Sequence, residues 1–314
     1  MTVAPGLPAA SEAVDLPALP LAPWEPTRAT LHLYVQIVGK IRLASTPHRN
    51  HWWNVPLYVT ARGLTTGRMS LGGVDYEIAF DFLDHELRVQ TAGGETFVLP
   101  LRDGLPVAEF HGRLLGGLEA LGITPRILAR PFGTRYSDIP FADDTHHAAY
   151  DRDAVTRYWR SLRWVAGVLD EFAGRFRGKQ SPVHMFWHSF DLAVTRFSGR
   201  PAPPMPDADP VTREAYSEEV VSFGFWPGDQ DVREATLYAY AAPEPPGLAR
   251  HDLEPAAAHW ISNGGSHTAH LSFEAVRTDD DPRSAALAFL ESVFRAASEA
   301  GDWPQPASRR LITD

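Results

Sequence analysis

The chain resembles itself. A shift of 135 residues lays "RATLHLYVQIVGKIRLASTPHRNHWWNVPLYVT", 28–60, on "RWVAGVLDEFAGRFRGKQSPVHMFWHSFDLAVT", 163–195, without a gap. Identical residues fall at Arg28 and Arg163, Gly39 and Gly174, Arg42 and Arg177, Pro47 and Pro182, Trp52 and Trp187, Leu57 and Leu192, Val59 and Val194, and Thr60 and Thr195. Lys40 faces Arg175, Thr46 faces Ser181 and Asn54 faces Ser189. Self-similarity on this scale limits the fold to like units, each built from the same short series of elements. The likeness continues more weakly, "YEIAFDFLDHEL" with "EEVVSFGFWPGDQ" and "VAEFHGRLLGGLEALG" with "SAALAFLESVFRAASEAG".

Periodicity supplies the elements. Leu31, Tyr34, Val35, Val38 and Ile41 recur at helical spacing, as do Tyr158, Leu162, Val165, Leu169 and Phe172 in a longer helix that Asp151 or Asp153 can cap. Strands are predicted at 55–62, 74–82, 86–91 and 96–101, the last two joined by "AGG", and again at 186–197, 217–225, 235–241, 259–263 and 267–276. Closing helices are predicted at 107–121 and 282–300. The expected class is α+β: two tandem repeats of helix, antiparallel strands, helix, forming a pseudo-symmetric pair of sheets or one continuous sheet covered by helices. The expected division is an extended or disordered N-terminal segment 1–23, a first repeat 24–122, a connector 123–150, a second repeat 151–301 and a tail 302–314.

Composition removes several functions. Cysteine is absent, which excludes disulfides and thiolate chemistry and leaves His, Asp and Glu as metal ligands. A formal charge of −10 with no basic stripe argues against nucleic acid. No run approaches the roughly 18 apolar residues of a membrane span, and the first residues lack the basic and apolar regions of a signal peptide. A cytoplasmic protein is expected. Lysine occurs only at Lys40 and Lys179 while Arg, Ala, Pro and Gly abound, a bias that suggests a high-GC bacterial genome. Nucleotide, dinucleotide and G-x-S-x-G signatures are missing from strand-to-helix junctions, so no cofactor and no metal is assigned.

The segment "KQSPVHMFWHSFDLAVTRFSGR", 179–200, concentrates the chemistry-bearing residues. As a strand it puts His188, Phe190, Leu192 and Val194 on one side and Trp187, Ser189, Asp191, Ala193 and Thr195 on the other. The repeat transfers this to Trp52, Asn54, Pro56, Tyr58 and Thr60, so each copy presents a tryptophan and then a small polar residue. A helix would instead stack His184, His188 and Asp191 as a metal set, but the β-branched and aromatic content favours the strand.

The "SPVHMFWHSFDLAVTRFSGR" block, with "NHWWNVPLYVTARGLTT", "IPFADDTHHAAYD" and "FGFWPG", resembles an uncharacterised bacterial family of about this length, known only as a domain of unknown function. The resemblance runs from Trp24 to the C-terminal helix and brings no activity with it. It implies a glycine where this chain has His188 and a histidine where it has Glu218, which weakens any role resting on His188.

The preferred function is a small-molecule binder, with His51, Trp52, Asn54, Trp187, Ser189 and Arg196, together with His184, walling a pocket where the repeats meet. The alternative is an acid/base or metal-assisted hydrolase or isomerase using Asp191 and Glu219, with His184 as a third group. A scaffold or homo-oligomer is the third reading, and the oligomeric state is unassigned. Other polar clusters read more simply: "DDTHH", 143–147, as a linker before a capped helix; "SEEV", 217–220, as a strand pointing Glu218 and Glu219 to opposite faces; "GGSHTAH", 264–270, as a turn and strand; "WPGD" as a turn.

Overall fold

A computed structural model describes residues 16–304. The segment 1–15 and the last ten positions of the expected tail lie outside the described residues. Six α-helices and two antiparallel sheets of six strands each alternate along the described chain.

The first half opens with α1 (Leu21–Ser45), which every residue from Thr30 to Arg42 buries. A helix buried all round belongs at the centre of a protein, not on its flank. It is followed by β1 (Tyr58–Val59), β2 (Gly63–Thr65), β3 (Met69–Leu71), β4 (Val74–Asp81), β5 (Glu86–Thr91), β6 (Thr96–Pro100) and α2 (Val107–Ala120). These strands pair in the order β1-β2-β4-β5-β6, with β3 also on β4. The "AGG" turn closes as expected, Thr91 N donating to Glu95 O with Gly94 at φ 95.

The second half opens with α3 (Arg152–Gly174), capped by the Asp151 side chain on the Asp153 and Ala154 amides. Then come β7 (His184–Phe186), β8 (Asp191–Pro201), the short α4 (Pro210–Ala215), β9 (Glu218–Trp226), β10 (Thr236–Ala242), β11 (His259–Asn263), β12 (Ser266–Ser272), α5 (Phe273–Arg277) and α6 (Pro282–Ala300). Their order is β11-β12-β10-β9-β8-β7. The two sheets meet edge to edge at one antiparallel bridge, Leu57 N to Met185 O at 2.9 Å and Met185 N to Leu57 O at 2.7 Å.

Three expected strands are corrected. The 186–197 strand is broken, because Phe190 takes a left-handed φ of 63 and its N–H returns to Phe186 O at 2.8 Å, making a tight turn of Trp187 to Phe190 between β7 and β8. The 55–62 strand contracts to Tyr58 and Val59, since Trp52 precedes it in a 3₁₀ turn with His51 and Trp52 both left-handed, at φ 54 and 60. The 267–276 strand stops at Ser272, whose hydroxyl accepts from Glu274 N and starts α5.

One face of the second sheet is apolar. Leu192, Val194, Phe223, Phe225 and Leu237 lie there under α3 and α6. The other carries Asp191, Ala193, Thr195, Ser222, Gly224, Tyr238 and Tyr240. Trp187 leaves the turn to lie flat on α1, its Nε1 donating to Val55 O at 3.1 Å. The contact needs a glycine: a Cβ on Gly39 would stand 2.1 Å from the indole ring. Gly39→Ala is therefore expected to cost about 1–3 kcal/mol through overpacking. Its repeat counterpart is the control, for a Cβ on Gly174 meets nothing within 4 Å. Urea unfolding of G39A and G174A checks this; equal midpoints would remove the constraint.

Candidate functional site

A cavity of about 300 Å³ opens where four separated segments converge. Glu25, Arg28, Ala29 and His32 come from α1, and Gly133 to Tyr136 from the connector. His188 and Ser189 come from the turn before β8, and Trp226 with Asp229 to Asp231 from the loop after β9.

Hydrogen bonds from α1 hold these segments in place. His32 Nε2 lies 3.1 Å from Trp187 O and 3.0 Å from His188 O. Burial lowers the pKa of His32 to about 3, so the ring is neutral, and two facing carbonyls require the proton on Nε2. One turn on, Gln36 accepts from Phe132 N at 2.8 Å and donates to Phe132 O at 2.8 Å. The connector is braced further by His147, whose ring packs 4.2 Å from that of Tyr136 while its Nδ1 bonds Asp144 at 2.7 Å. Thus "DDTHH" positions a wall, with Asp144 Oδ1 also accepting from the His146 and His147 amides.

Beneath the cavity runs an aromatic column. Trp24 and Tyr158 rings are 5.2 Å apart, Tyr158 and Phe190 5.4 Å, and Phe190 and His32 5.0 Å. Three buried donors here meet no acceptor among the described residues: Trp24 Nε1, Arg28 Nε and Tyr158 OH. Burial raises the Tyr158 phenol well above its ordinary pKa, while Arg28 opposes that rise and Asp191 adds to it. Arg28 is itself pushed down by burial and held up chiefly by Asp229, though no ion pair joins the two. Buried donors are nearly always satisfied, and of these three Arg28 is the one that lines the cavity.

Asp191 sits beside this column, buried, and accepts from Ser189 Oγ and Tyr238 OH. Tyr238 reaches it by crossing β9 above Gly224, where a Cβ would stand 2.5 Å from the phenol oxygen. Tyr240 stacks beside Tyr238 at 6.2 Å and shares a 2.7 Å hydrogen bond with Tyr216. His188 is depressed by burial, with the Asp191 charge working against that shift.

The expected site residues do not form one wall. Ser189 lines the cavity and Asp191 backs it. Trp187 is 7% exposed beneath α1 and has no free face. Asn54 braces its own loop, accepting from Arg49 N at 3.1 Å. Trp52 packs edge-on to His48 at 4.7 Å. His51 is held between Lys179 Nζ, 2.7 Å from its Nε2, and Glu214 O, 3.1 Å from its Nδ1; Lys179 also pairs with Glu218.

Arg196 is part of the core. Its guanidinium carbon lies 3.4, 4.4, 4.9 and 5.9 Å from the ring centroids of Phe172, Phe294, Phe176 and Phe223, and Nη2 donates to Phe172 O at 2.6 Å. Burial lowers its pKa to about 10.

The acid/base trio is dispersed. Glu219 accepts from Ser198 at 2.8 Å and pairs with Arg200 at 2.7 Å beside a second cavity of about 250 Å³. Ser198 is seven residues along β8 from Asp191, a separation of roughly 20 Å at the rise of a strand. His184 is fully buried, both ring nitrogens unpartnered and its ring 4.7 Å from Phe186. A carboxylate cluster of Asp81, Asp84 and Glu86, close enough to hold a cation, already pairs with Arg62 and Arg88.

The sequence reading missed Trp24, Arg28, Tyr136, Tyr158 and Asp229. The available signal was Arg28 itself: it falls in the stripe Trp24, Arg28, Leu31, Val35 of a buried helix, where a charge needs a partner.

Fold and cavity together define an α+β protein with an open cavity of mixed polar and apolar lining where α1, the connector and two loops of the second half converge. A family model described as "Family of unknown function (DUF5996)" matches residues 16–310, and the chain belongs to that family. No curated protein and no solved structure matches it.

Burial of His32 and His184 makes stability pH-dependent. Both have pKa values lowered from 6.5 to about 3 by desolvation, so the unfolded chain takes up protons first as the pH falls. Stability present above pH 6.5 is lost toward pH 3, at about 1.4 kcal/mol per histidine per pH unit. Replacing His184 by leucine should reduce that slope by one proton in urea unfolding between neutral and mildly acid pH; parallel slopes would contradict it.

Proposed function

We propose that the protein is a cytoplasmic bacterial binder of a small, acceptor-bearing anion, held in the cavity between α1, the connector, the Trp187–Phe190 turn and the loop after β9. The observation that carries this reading is Arg28, which lines the cavity and whose buried Nε has no acceptor among the described residues. An oxygen-rich group lying against Arg28 relieves that desolvation and gains a charge-assisted hydrogen bond. The volume suits a compact metabolite, being at the small end for ligand cavities. Ser189 is the member of the original wall that remains at the ligand, with Asp191 and Tyr238 fixing it from behind.

Binding rather than turnover is favoured by the state of Asp191. Its two oxygens are already occupied by Ser189 and Tyr238, and Glu219 lies at the far end of the strand. The test is thermal unfolding of the full chain with a set of small carboxylates and phosphates. At least one should raise the melting temperature of the wild type, and Arg28→Met should weaken its binding by about tenfold or more. Unchanged affinity in that variant, or a set without a binder, would overturn the reading.

A further inference from the structure

The charge around the cavity narrows the ligand class, on the assumption that an anion occupies the site as proposed above. Of the three arginines in this region, Arg233 is neutralised, gripping Glu25 with both Nη atoms at 2.7 and 2.8 Å. Arg135 donates to the neutral Gln230 Oε1 at 2.8 Å and lies over the Tyr136 ring at 4.9 Å, so it keeps its charge. Arg28 and Arg135 therefore share the cavity wall with Asp229 and Asp231.

A doubly charged phosphate is therefore poorly matched, since the wall that carries Arg28 and Arg135 also carries the carboxylates of Asp229 and Asp231. Asp229 Oδ1 is tied into its own turn by the Asp231 and Val232 amides, at 2.7 and 3.0 Å, which fixes the carboxylate at the lip. Arg28 and Asp229 both line the cavity, from α1 and from the loop after β9, so it holds a positive and a negative group on separate segments. Trp226 and Tyr136 supply flat apolar surface between the poles.

We infer that the ligand is a zwitterion of the α-amino acid type, its carboxylate directed to Arg28, its ammonium to Asp229, and its side chain to Trp226 and Tyr136. Opposed charges on one small molecule satisfy both poles at once, whereas a simple anion leaves the acidic lip unpaired.

The experiment is isothermal titration of the full chain with the twenty L-amino acids. For the tightest binder, the N-acetyl, deaminated and carboxamide forms follow. The free amino acid should bind best, with the N-acetyl and deaminated forms weaker by about tenfold and the carboxamide weaker still. Asp229→Asn keeps the turn acceptor and should weaken the amino acid about tenfold while leaving the deaminated acid unchanged. Deaminated or N-acetyl forms that bind as tightly as the parent overturn the zwitterion but leave the anion site standing. So does a protein that takes simple carboxylates and no amino acid. A carboxamide that binds as tightly as the acid overturns the anion site itself.

Discussion

The architecture depends on one buried helix that must satisfy its polar residues at a distance. From Thr30 to Arg42, α1 has no solvent-facing side, yet it carries His32, Gln36, Lys40 and Arg42. A buried polar group without a partner costs free energy on the order of a folding increment, so each of these constrains what packs against it. His32 takes two carbonyls of the Trp187–Phe190 turn, and Gln36 takes both backbone groups of Phe132. Arg42 donates to Thr66 O in the first half. The helix thus fixes loops from both halves to one axis, and the cavity is the space those loops leave.

Aromatic packing completes the constraint. Trp187 fits only because Gly39 presents bare backbone, and Tyr238 reaches Asp191 only because Gly224 does. In both cases a large ring crosses another element at close range, and a glycine on that element makes the crossing possible. These contacts set the position of Ser189 and Asp191 more tightly than the strand they flank.

Helices were the legible part of this sequence. The apolar spacing of α3 and its Asp151 cap, or the Pro282 start of α6, are local signals that local physics decides. The turn at Trp187 to Phe190 was illegible because alternation of polar and apolar residues runs on through it; what breaks the strand is the left-handed Phe190, held by stacking on Tyr158 and His32. Arg196 looked like a ligand group for the same reason. Its cage comes from α3, β9 and α6 together, and only the tertiary fold brings those phenylalanines around it. Of the site, Ser189 and Asp191 could be read from their segment. Arg28 and Asp229, some two hundred residues apart, could not be paired by spacing.

The self-similarity of the sequence makes the position of this cavity instructive. Trp52 and Trp187 correspond, and each occupies the turn before its strand, but Trp187 is sealed under α1 while Trp52 packs on His48 nearer the surface. Asn54 closes its own loop where Ser189 faces the hollow. Arg28 lies in the cavity, whereas Arg163 is exposed on α3. Positions aligned by the sequence shift therefore differ in what they meet. The difference follows from α1: it is buried along its central turns, and it carries Arg28 into the cavity wall with its Nε left without an acceptor among the described residues. Chemistry in this protein resides where the two halves depart from one another.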